Sequence, residues 1–257
     1  MKKTAFAAAA VVALTSIPGA AFADLAFNVG AVTDYRYRGI SQTRLKPALQ
    51  GGVDYSNESG LYVGTWLSMI KWIKDAGDVS GVDTKGPLEW DLYGGYKGDI
   101  VKETLSYDVG GLYYYYPTNK YGDISGASNA NTFELYGALT WKVLTVKYSY
   151  ALTNTFGNGG GDGMPDSKGS GYLDISANFD LGSGFTLTPH VGHQDIKHYS
   201  VASYNDYSLT LAKDFGSGFS GTVAVVGTDA DKPFYSFNPP GKFQGKNGVV
   251  VGVKYTF

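Results

Sequence analysis

The last nine residues of the chain, 249–257, alternate strictly between two kinds of side chain. At a period of two, one face of this segment carries only large apolar and aromatic residues, namely Val249, Val251, Val253, Tyr255 and Phe257. The other face carries Gly252, Lys254 and Thr256 among its members. A segment of this kind is predicted to be a β-strand with one face against apolar material and the other face open to water.

The same alternation recurs along the chain and predicts about twelve strands. The runs lie near 26–38, 47–56, 61–70, 88–97, 105–116, 132–141, 144–152, 172–181, 185–194, 205–215, 219–228 and 248–257. Short connections alternate with long polar ones, and the longest of these span roughly 71–87, 153–171 and 229–247. Short turns at one end and long loops at the other are typical of outer-membrane barrels. The predicted fold is therefore all-β: a transmembrane antiparallel up-and-down β-barrel of about 12 strands, with short periplasmic turns and long extracellular loops.

Charged residues fall almost entirely on one face of these runs. Phe27, Val29 and Tyr35 of the first run belong to the apolar face, which is predicted to meet lipid. An Arg or Lys that faces lipid at mid-bilayer costs about 2–4 kcal/mol, so the charged face should line the lumen. Lys213, beside a short turn, is the exception. The predicted lumen-facing charges are Asp34, Arg36, Arg38, Asp54, Glu89, Asp91, Asp108, Glu134, Lys147, Asp174, Asp206 and Lys254. The run at 61–70 gives no clear register, because Tyr62 and Trp66 compete with Leu61, Val63 and Leu67.

The N-terminal segment 1–23 has the pattern of a cleavable secretory signal. Lys2 and Lys3 precede an apolar stretch, and small residues stand before Asp24, the predicted first residue of a single barrel domain, 24–257. The apolar stretch is shorter than the ~20 residues of a membrane-spanning helix. Without residues 1–23 the chain has 19 basic and 23 acidic residues, and this slightly acidic balance does not favour binding to nucleic acid. The absence of cysteine excludes disulfides.

The predicted function is passive diffusion of small hydrophilic solutes or ions through the lumen. Eight charged residues are candidate pore-lining groups: Asp34, Arg36, Arg38, Asp54, Glu89, Asp91, Glu134 and Lys147. Asp34, Arg36 and Arg38 form the most distinctive group, since with Arg44 they contain every arginine of the protein. They could form a charged constriction that selects ions, or they could pair with acids on neighbouring strands and hold the wall together. A lumen of twelve strands should be narrow or partly blocked by an inward loop.

Two other functions remain open, and no catalytic residue, metal ligand or cofactor is assigned. A lipid-modifying enzyme would need a nucleophile beside an oriented base, and His193, His198, Ser200 and Ser203 are the candidates. The phospholipase signature His-x-Ser-Asn-Gly is absent, however, and the three histidines are expected to be solvated in external loops. Alternatively, a non-conducting barrel could display its loops as a receptor or adhesin. The glycine-rich loop 158–167 lacks the spacing of a calcium-binding EF-hand.

Two resemblances support the barrel. The terminal strand, with its final Phe257, resembles the C-terminal strand of Gram-negative outer-membrane barrels, which their assembly machinery recognises. The segments 35–42, 47–55 and 60–66 resemble the N-terminal signature of the TorF family, whose members are assigned as porins, and the resemblance extends to Phe257. It implies an outer-membrane barrel in contact with lipid and lipopolysaccharide, and it implies a pore. It carries over no substrate or binding residue.

Overall fold

The computed structural model describes residues 24–239 and 241–257, so the predicted signal peptide at 1–23 lies outside the described residues. The elements, in chain order, are β1 (Asp24–Val32), β2 (Arg36–Tyr37), β3 (Ile40–Ser41), β4 (Ala48–Ser56), β5 (Leu61–Met69), α1 (Trp72–Ser80), β6 (Leu88–Val101), β7 (Leu105–Tyr115), β8 (Thr132–Trp141), β9 (Leu144–Ala151), β10 (Gly171–Ala177), β11 (Phe179–Gly182), β12 (Phe185–Asp195), β13 (Tyr204–Gly216), β14 (Phe219–Thr228) and β15 (Gly248–Thr256). Three-residue 3₁₀ turns lie at Tyr121–Asp123, Ser200–Ala202 and Phe234–Ser236.

The strands close into an antiparallel barrel. Within the described ranges, β10 and β11 are two halves of one wall strand, and β2 and β3 form a separate hairpin, so the wall has twelve strands. The wall closes where β15 pairs with β1, with Thr256 opposite Asn28 and Gly252 opposite Val32. At the seam, the backbone N–H groups of Phe27 and Phe257 each donate to the other residue's carbonyl oxygen at 2.9 Å. The predicted barrel and its predicted closure by the terminal strand are confirmed.

Turns and loops segregate to opposite ends of the barrel. One end, here called the short-turn end, carries the connections 57–60, 102–104, 142–143, 183–184 and 217–218. The opposite end, the long-loop end, carries α1 in the connection between β5 and β6. The sequence did not predict this helix because it is short and contains Gly77; tertiary contacts stabilise it instead, since Trp72 and Ile73 are buried. Among the helices of the described ranges, none is long and apolar enough to cross a membrane.

The outer face of the wall is apolar, as the alternation predicts. Val223 on β14 and Val253 on β15 are exposed, and Leu61 and Val63 are exposed on β5, where the sequence left the register open. Tyr62 and Ser68 of β5 are buried inside. A continuous band of exposed apolar side chains on a closed barrel is stable where lipid covers it.

The structure corrects the prediction for the first run, 26–38. Strand β1 ends at Val32, and the following residues leave the wall and turn into the lumen. Tyr35, predicted to face lipid, is therefore inside the barrel, where it is 4% exposed. Its hydroxyl donates a hydrogen bond to Glu89 Oε1 on β6. An alternating pattern cannot distinguish a wall strand from a hairpin that continues the alternation inside the lumen.

Candidate functional site

Residues 33–46 form an inward segment that narrows the lumen, and its tip is a tight β-hairpin. Arg36 pairs with Ser41 and Tyr37 with Ile40, which leaves Arg38 and Gly39 as the two turn residues. Both have positive φ, 45° and 79°, as a two-residue hairpin turn with matching twist requires. A Cβ on Gly39 would lie 2.4 Å from Thr228 Cγ2, so the tip fits the wall only with glycine.

Arg38 connects the hairpin tip to the wall on the far side of the lumen. Its Nη2 donates to Glu134 Oε2 on β8 at 2.6 Å, and its Nη1 donates to Gln194 Oε1 on β12 at 2.6 Å. Its guanidinium carbon also lies 4.1 Å from the ring centroid of Tyr172 on β10. Arg38 is only 4% exposed, so its side chain occupies the lumen between the hairpin tip and the wall. Its hydrogen bonds to the wall are charge-assisted.

Asp34 and Arg36 hold the inward segment in shape. The Asp34 carboxylate accepts hydrogen bonds from Arg36 Nε and from Ser41 Oγ, the latter at 2.6 Å. Arg36 Nη1 donates to the carbonyl oxygens of Gly39 at 2.8 Å and Gln244 at 3.1 Å. The three predicted residues Asp34, Arg36 and Arg38 thus do meet inside the barrel, but on a hairpin rather than on the wall strand expected for them.

The long loops fasten this segment from the other side. The backbone N–H groups of Lys71 and Trp72, at the start of α1, donate to the Gln42 carbonyl oxygen at 2.8 and 3.2 Å. Arg44 forms a two-point contact with Asp75 of α1, with Nε at 2.8 Å from Oδ2. That hydrogen bond is the main cause of the raised pKa of Arg44. The inward segment is therefore held between the barrel wall and α1.

At the level of the hairpin, the wall contributes three buried acids. Glu89 accepts from Tyr35, Glu134 pairs with Arg38, and Asp91 lies two residues after Glu89 on β6. Asp91 is 1% exposed, and neither carboxylate oxygen has a hydrogen-bond partner within the described ranges. Glu89, Asp91 and Glu134 were all among the predicted pore-lining residues, and of the three only Glu134 has an arginine partner among the described residues.

Towards the short-turn end, charged and phenolic side chains line the lumen without filling it. Asp54 accepts a hydrogen bond from the Tyr93 hydroxyl. Lys147 Nζ lies 3.9 Å from the ring centroid of Tyr136. Asp54, Lys147 and Lys254 are all half-buried, in contrast to the nearly inaccessible charges at the hairpin. These two predicted pore-lining residues, Asp54 and Lys147, are therefore more accessible than the charged residues at the hairpin.

A second polar cluster lies on β10, β12 and β13, where Asp174 is the cross-strand neighbour of Lys147. His190 Nε2 lies 3.1 Å from Asp206 Oδ1, and its Nδ1 lies 3.6 Å from Asp174 Oδ2. The Tyr172 hydroxyl donates to Asp206 Oδ2 at 2.9 Å. The prediction that all three histidines lie in external loops is therefore wrong for His190 and His193, which both lie on β12. His190 faces the lumen, a position that alternation from Leu187 and Val191 would have shown.

The residues considered for an enzyme do not form a catalytic pair. His193 Nδ1 lies 2.8 Å from Asn205 Oδ1, and His198 Nδ1 lies 2.7 Å from the Asp166 carbonyl oxygen. Ser203 Oγ accepts a hydrogen bond from the Ile196 N–H. In the part of the chain that the structure describes, neither histidine hydrogen-bonds a serine hydroxyl, and no group of three His, Asp or Glu side chains is placed to hold a metal ion.

Loop 158–167, considered for calcium, uses one of its two acids, Asp162, for a contact with another loop. Asp162 Oδ2 accepts from Ser125 Oγ at 2.9 Å and from the Gly126 N–H at 3.0 Å. These two hydrogen bonds, the backbone one first, lower the pKa of Asp162. The carboxylate thus joins two long loops.

Together, the closed wall, the apolar outer face and the polar constricted lumen define a transmembrane barrel of the porin fold. Among solved structures, the KdgM porin has a TM-score of 0.54 at 9% identity, and the match covers 90% of this chain and 99% of that chain. The NanC porin has a TM-score of 0.52 at 11% identity, with 90% and 99% covered. Because the sequence identities are this low, the two matches show only that the fold is shared.

The sequence places the chain in a family. It belongs to the family Gcw_chp, described as bacterial protein of unknown function, whose model matches residues 18–257. No curated protein matches the sequence.

Proposed function

We propose that this protein is an outer-membrane channel for passive diffusion of small hydrophilic solutes or ions, constricted by its own inward hairpin. The observation that carries the proposal is the half-buried charged wall at Asp54, Lys147 and Lys254, inside a barrel whose outer face is apolar. Charges inside a membrane protein are costly unless they meet water or partners. A lumen that keeps such groups in contact with water is suited to polar solutes.

The hairpin sets the narrow point of this channel. Arg38 of the hairpin bonds to Glu134 and Tyr35 of the same segment bonds to Glu89, so a solute that crosses the barrel passes beside these side chains. Rings of fixed charge at a constriction select ions. Acids outnumber arginines around the hairpin, with Asp34, Glu89, Asp91, Glu134 and Asp206 against Arg36 and Arg38, which favours cations over anions.

Bilayer recording on refolded protein, with Asp91→Asn as the variant, tests the channel. Wild-type protein is expected to give discrete conductance steps and a cation-selective reversal potential in a KCl gradient. Asp91→Asn replaces a lumen carboxyl group that has no hydrogen-bond partner among the described residues by a side chain that cannot ionise. The permeability ratio of K⁺ to Cl⁻ should fall by roughly two-fold or more.

The matched control for this experiment is Glu58→Gln, which makes the same charge change on an exposed residue of a short turn. Its reversal potential should equal that of the wild type. Absence of conductance steps in the wild type would contradict the channel and favour a barrel that displays its loops as a receptor. Conductance with equal reversal potentials in all three proteins would contradict the placement of the selective charge at Asp91.

The same proposal places the barrel in the outer membrane of a Gram-negative cell, in contact with lipid and lipopolysaccharide. The short-turn end then faces the periplasm and the long-loop end faces outwards. Phe257 stacks on Phe27 with ring centroids 5.8 Å apart, beside the hydrogen bonds of the seam. Phe257 thus has a place in wall closure in addition to its proposed recognition by the assembly machinery.

Deletion of Phe257 is expected to lower the amount of folded protein in the outer membrane. The deletion removes the paired seam hydrogen bonds and the ring stack, and it removes the aromatic terminal residue proposed for recognition. The level of heat-modifiable barrel in purified outer membranes measures the effect, and Phe215→Ala, an exposed ring beside another short turn, is the control. A wild-type level after deletion would refute this role for Phe257, and conductance of any inserted molecules should be unchanged.

A further inference from the structure

The long-loop end of the barrel contains a cavity of about 330 Å³ on the outer side of the inward hairpin. Its size is at the lower end of the range for small-molecule sites, about 300–1,000 Å³. The hairpin, α1 and four other loop or strand-end segments contribute to its lining. The aromatic members that matter for the argument are Tyr37, Trp72, Tyr121, Phe156, Tyr204 and Tyr235.

These rings are held by one another, so the lining is formed in advance of any ligand. Trp72 and Tyr121 meet edge to face with ring centroids 5.3 Å apart. On the other side, Tyr204 and Tyr235 also meet edge to face, at 5.3 Å. Fixed rings lose little conformational freedom when a ligand arrives, which favours binding.

The cavity is uncharged. None of its lining residues is an Asp, Glu, Lys, Arg or His. Burial raises the pKa of Tyr121 to about 12, so this phenol stays protonated. Arg38, which lies deeper, already has Glu134 and Gln194 as partners. A charged ligand would lose its hydration here without gaining an opposite charge, at a large cost in free energy.

The cavity is also not purely apolar. Ser41, Gln42, Asn158 and Gln194 bring hydroxyl and amide groups to its lining. The indole N–H of Trp72 is buried and has no hydrogen-bond partner among the described residues. An apolar ligand would leave this donor unpaired, whereas a hydroxyl oxygen could accept from it.

We propose that this cavity binds a neutral saccharide of one or two rings at the outer entrance of the barrel. A pyranose combines an apolar C–H face, which fits an aromatic ring, with uncharged hydroxyls around its edge. The identification as an entrance site rests on the proposed channel function; the binding itself does not depend on conduction.

Isothermal titration of the refolded full chain tests the site. The neutral probes are maltose, sucrose and methyl β-galactoside, and the contrasting probes are digalacturonate, which is acidic, and toluene, which is apolar. At least one neutral sugar should bind about ten-fold or more tightly than either contrasting probe. Trp72→Ala should weaken that binding by about ten-fold or more, and Trp72→Phe, which keeps a ring but loses the N–H, should have an intermediate effect.

Trp141→Phe is the matched control, because Trp141 is exposed on the outer face of β8, far from the cavity in the barrel wall. It should bind the sugar as the wild type does. The proposal is overturned if no neutral sugar binds, if digalacturonate or toluene binds as tightly, or if Trp72→Phe and Trp72→Ala both bind like the wild type. Sugar binding without conductance would contradict the proposed channel and support the binding site. Conductance without sugar binding would contradict the binding site and support the channel.

Discussion

Replacement of Arg38 by alanine is expected to raise the single-channel conductance several-fold. Arg38 is buried inside the lumen and fixes the hairpin tip to Glu134 and Gln194 by two hydrogen bonds of 2.6 Å. Both bonds and the contact with the Tyr172 ring are lost in the variant. A wider lumen and an unanchored tip should therefore both increase the ion current.

The same substitution should also increase cation selectivity. Removing one partner of a buried ion pair leaves an uncompensated charge, which usually costs about 3–5 kcal/mol. Here Glu134 remains, beside Glu89 and Asp91, without the arginine that balances it. The reversal potential in a KCl gradient should shift further towards that of K⁺.

A double variant separates the two effects. Arg38→Ala with Glu134→Gln also removes the bonds from the hairpin tip to the far wall, but it removes the charge of both partners. Its conductance should rise as in the single variant, while its selectivity should stay closer to that of the wild type. Lys142→Gln, in an exposed short turn, is the control for loss of one positive charge. Wild-type conductance in both Arg38 variants would show that the hairpin does not limit the current.

Much of the wall could be predicted because alternation at a period of two directly reports which face meets lipid. The predicted run 132–141 and strand β8 coincide, and the exposed large hydrophobic residues of β14 and β15 are those on the apolar face. Wall strands pair with their sequence neighbours, so their order needed no further information. Within the described wall, only the closing pair of β1 and β15 joins segments far apart in the sequence. Closure was expected because lipid offers no partners for unpaired backbone groups, and an even number of strands allows the closing pair to be antiparallel.

The hairpin could not be predicted by the same means. Residues 33–41 continue the alternation of β1, and only the Arg38-Gly39 pair signals a turn. The partners of Arg38 lie 96 and 156 residues away, on strands that are not adjacent to β1. Contacts across a lumen depend on the cross-section of the closed barrel, which no local pattern contains. For the same reason, the bonds of the Tyr62 hydroxyl to Asp108 and Tyr136 were not foreseen.

The second large effect concerns the lipid-facing wall. Val223→Arg is expected to lower the free energy of unfolding in lipid vesicles by about 2–4 kcal/mol, the cost of a basic side chain that faces lipid at mid-bilayer. Val223 is exposed near the middle of β14. Its neighbours in the ladder are Leu211 and Val251, which are also exposed and apolar, so no acid is at hand to pair with the arginine.

Leu181→Arg supplies the depth control for this prediction. Leu181 is equally apolar and is 57% exposed, but it lies near the end of β11 beside a short turn, where the cost of a basic residue falls to about 0–1 kcal/mol. Lys213 already occupies such a position, and its Nζ donates to the Ser183 carbonyl oxygen in the neighbouring turn. Urea unfolding of the two refolded variants measures the difference. An equal loss of unfolding free energy in the two variants would contradict the placement of Val223 at mid-bilayer. If water covered the outer face, the two substitutions would have similar effects.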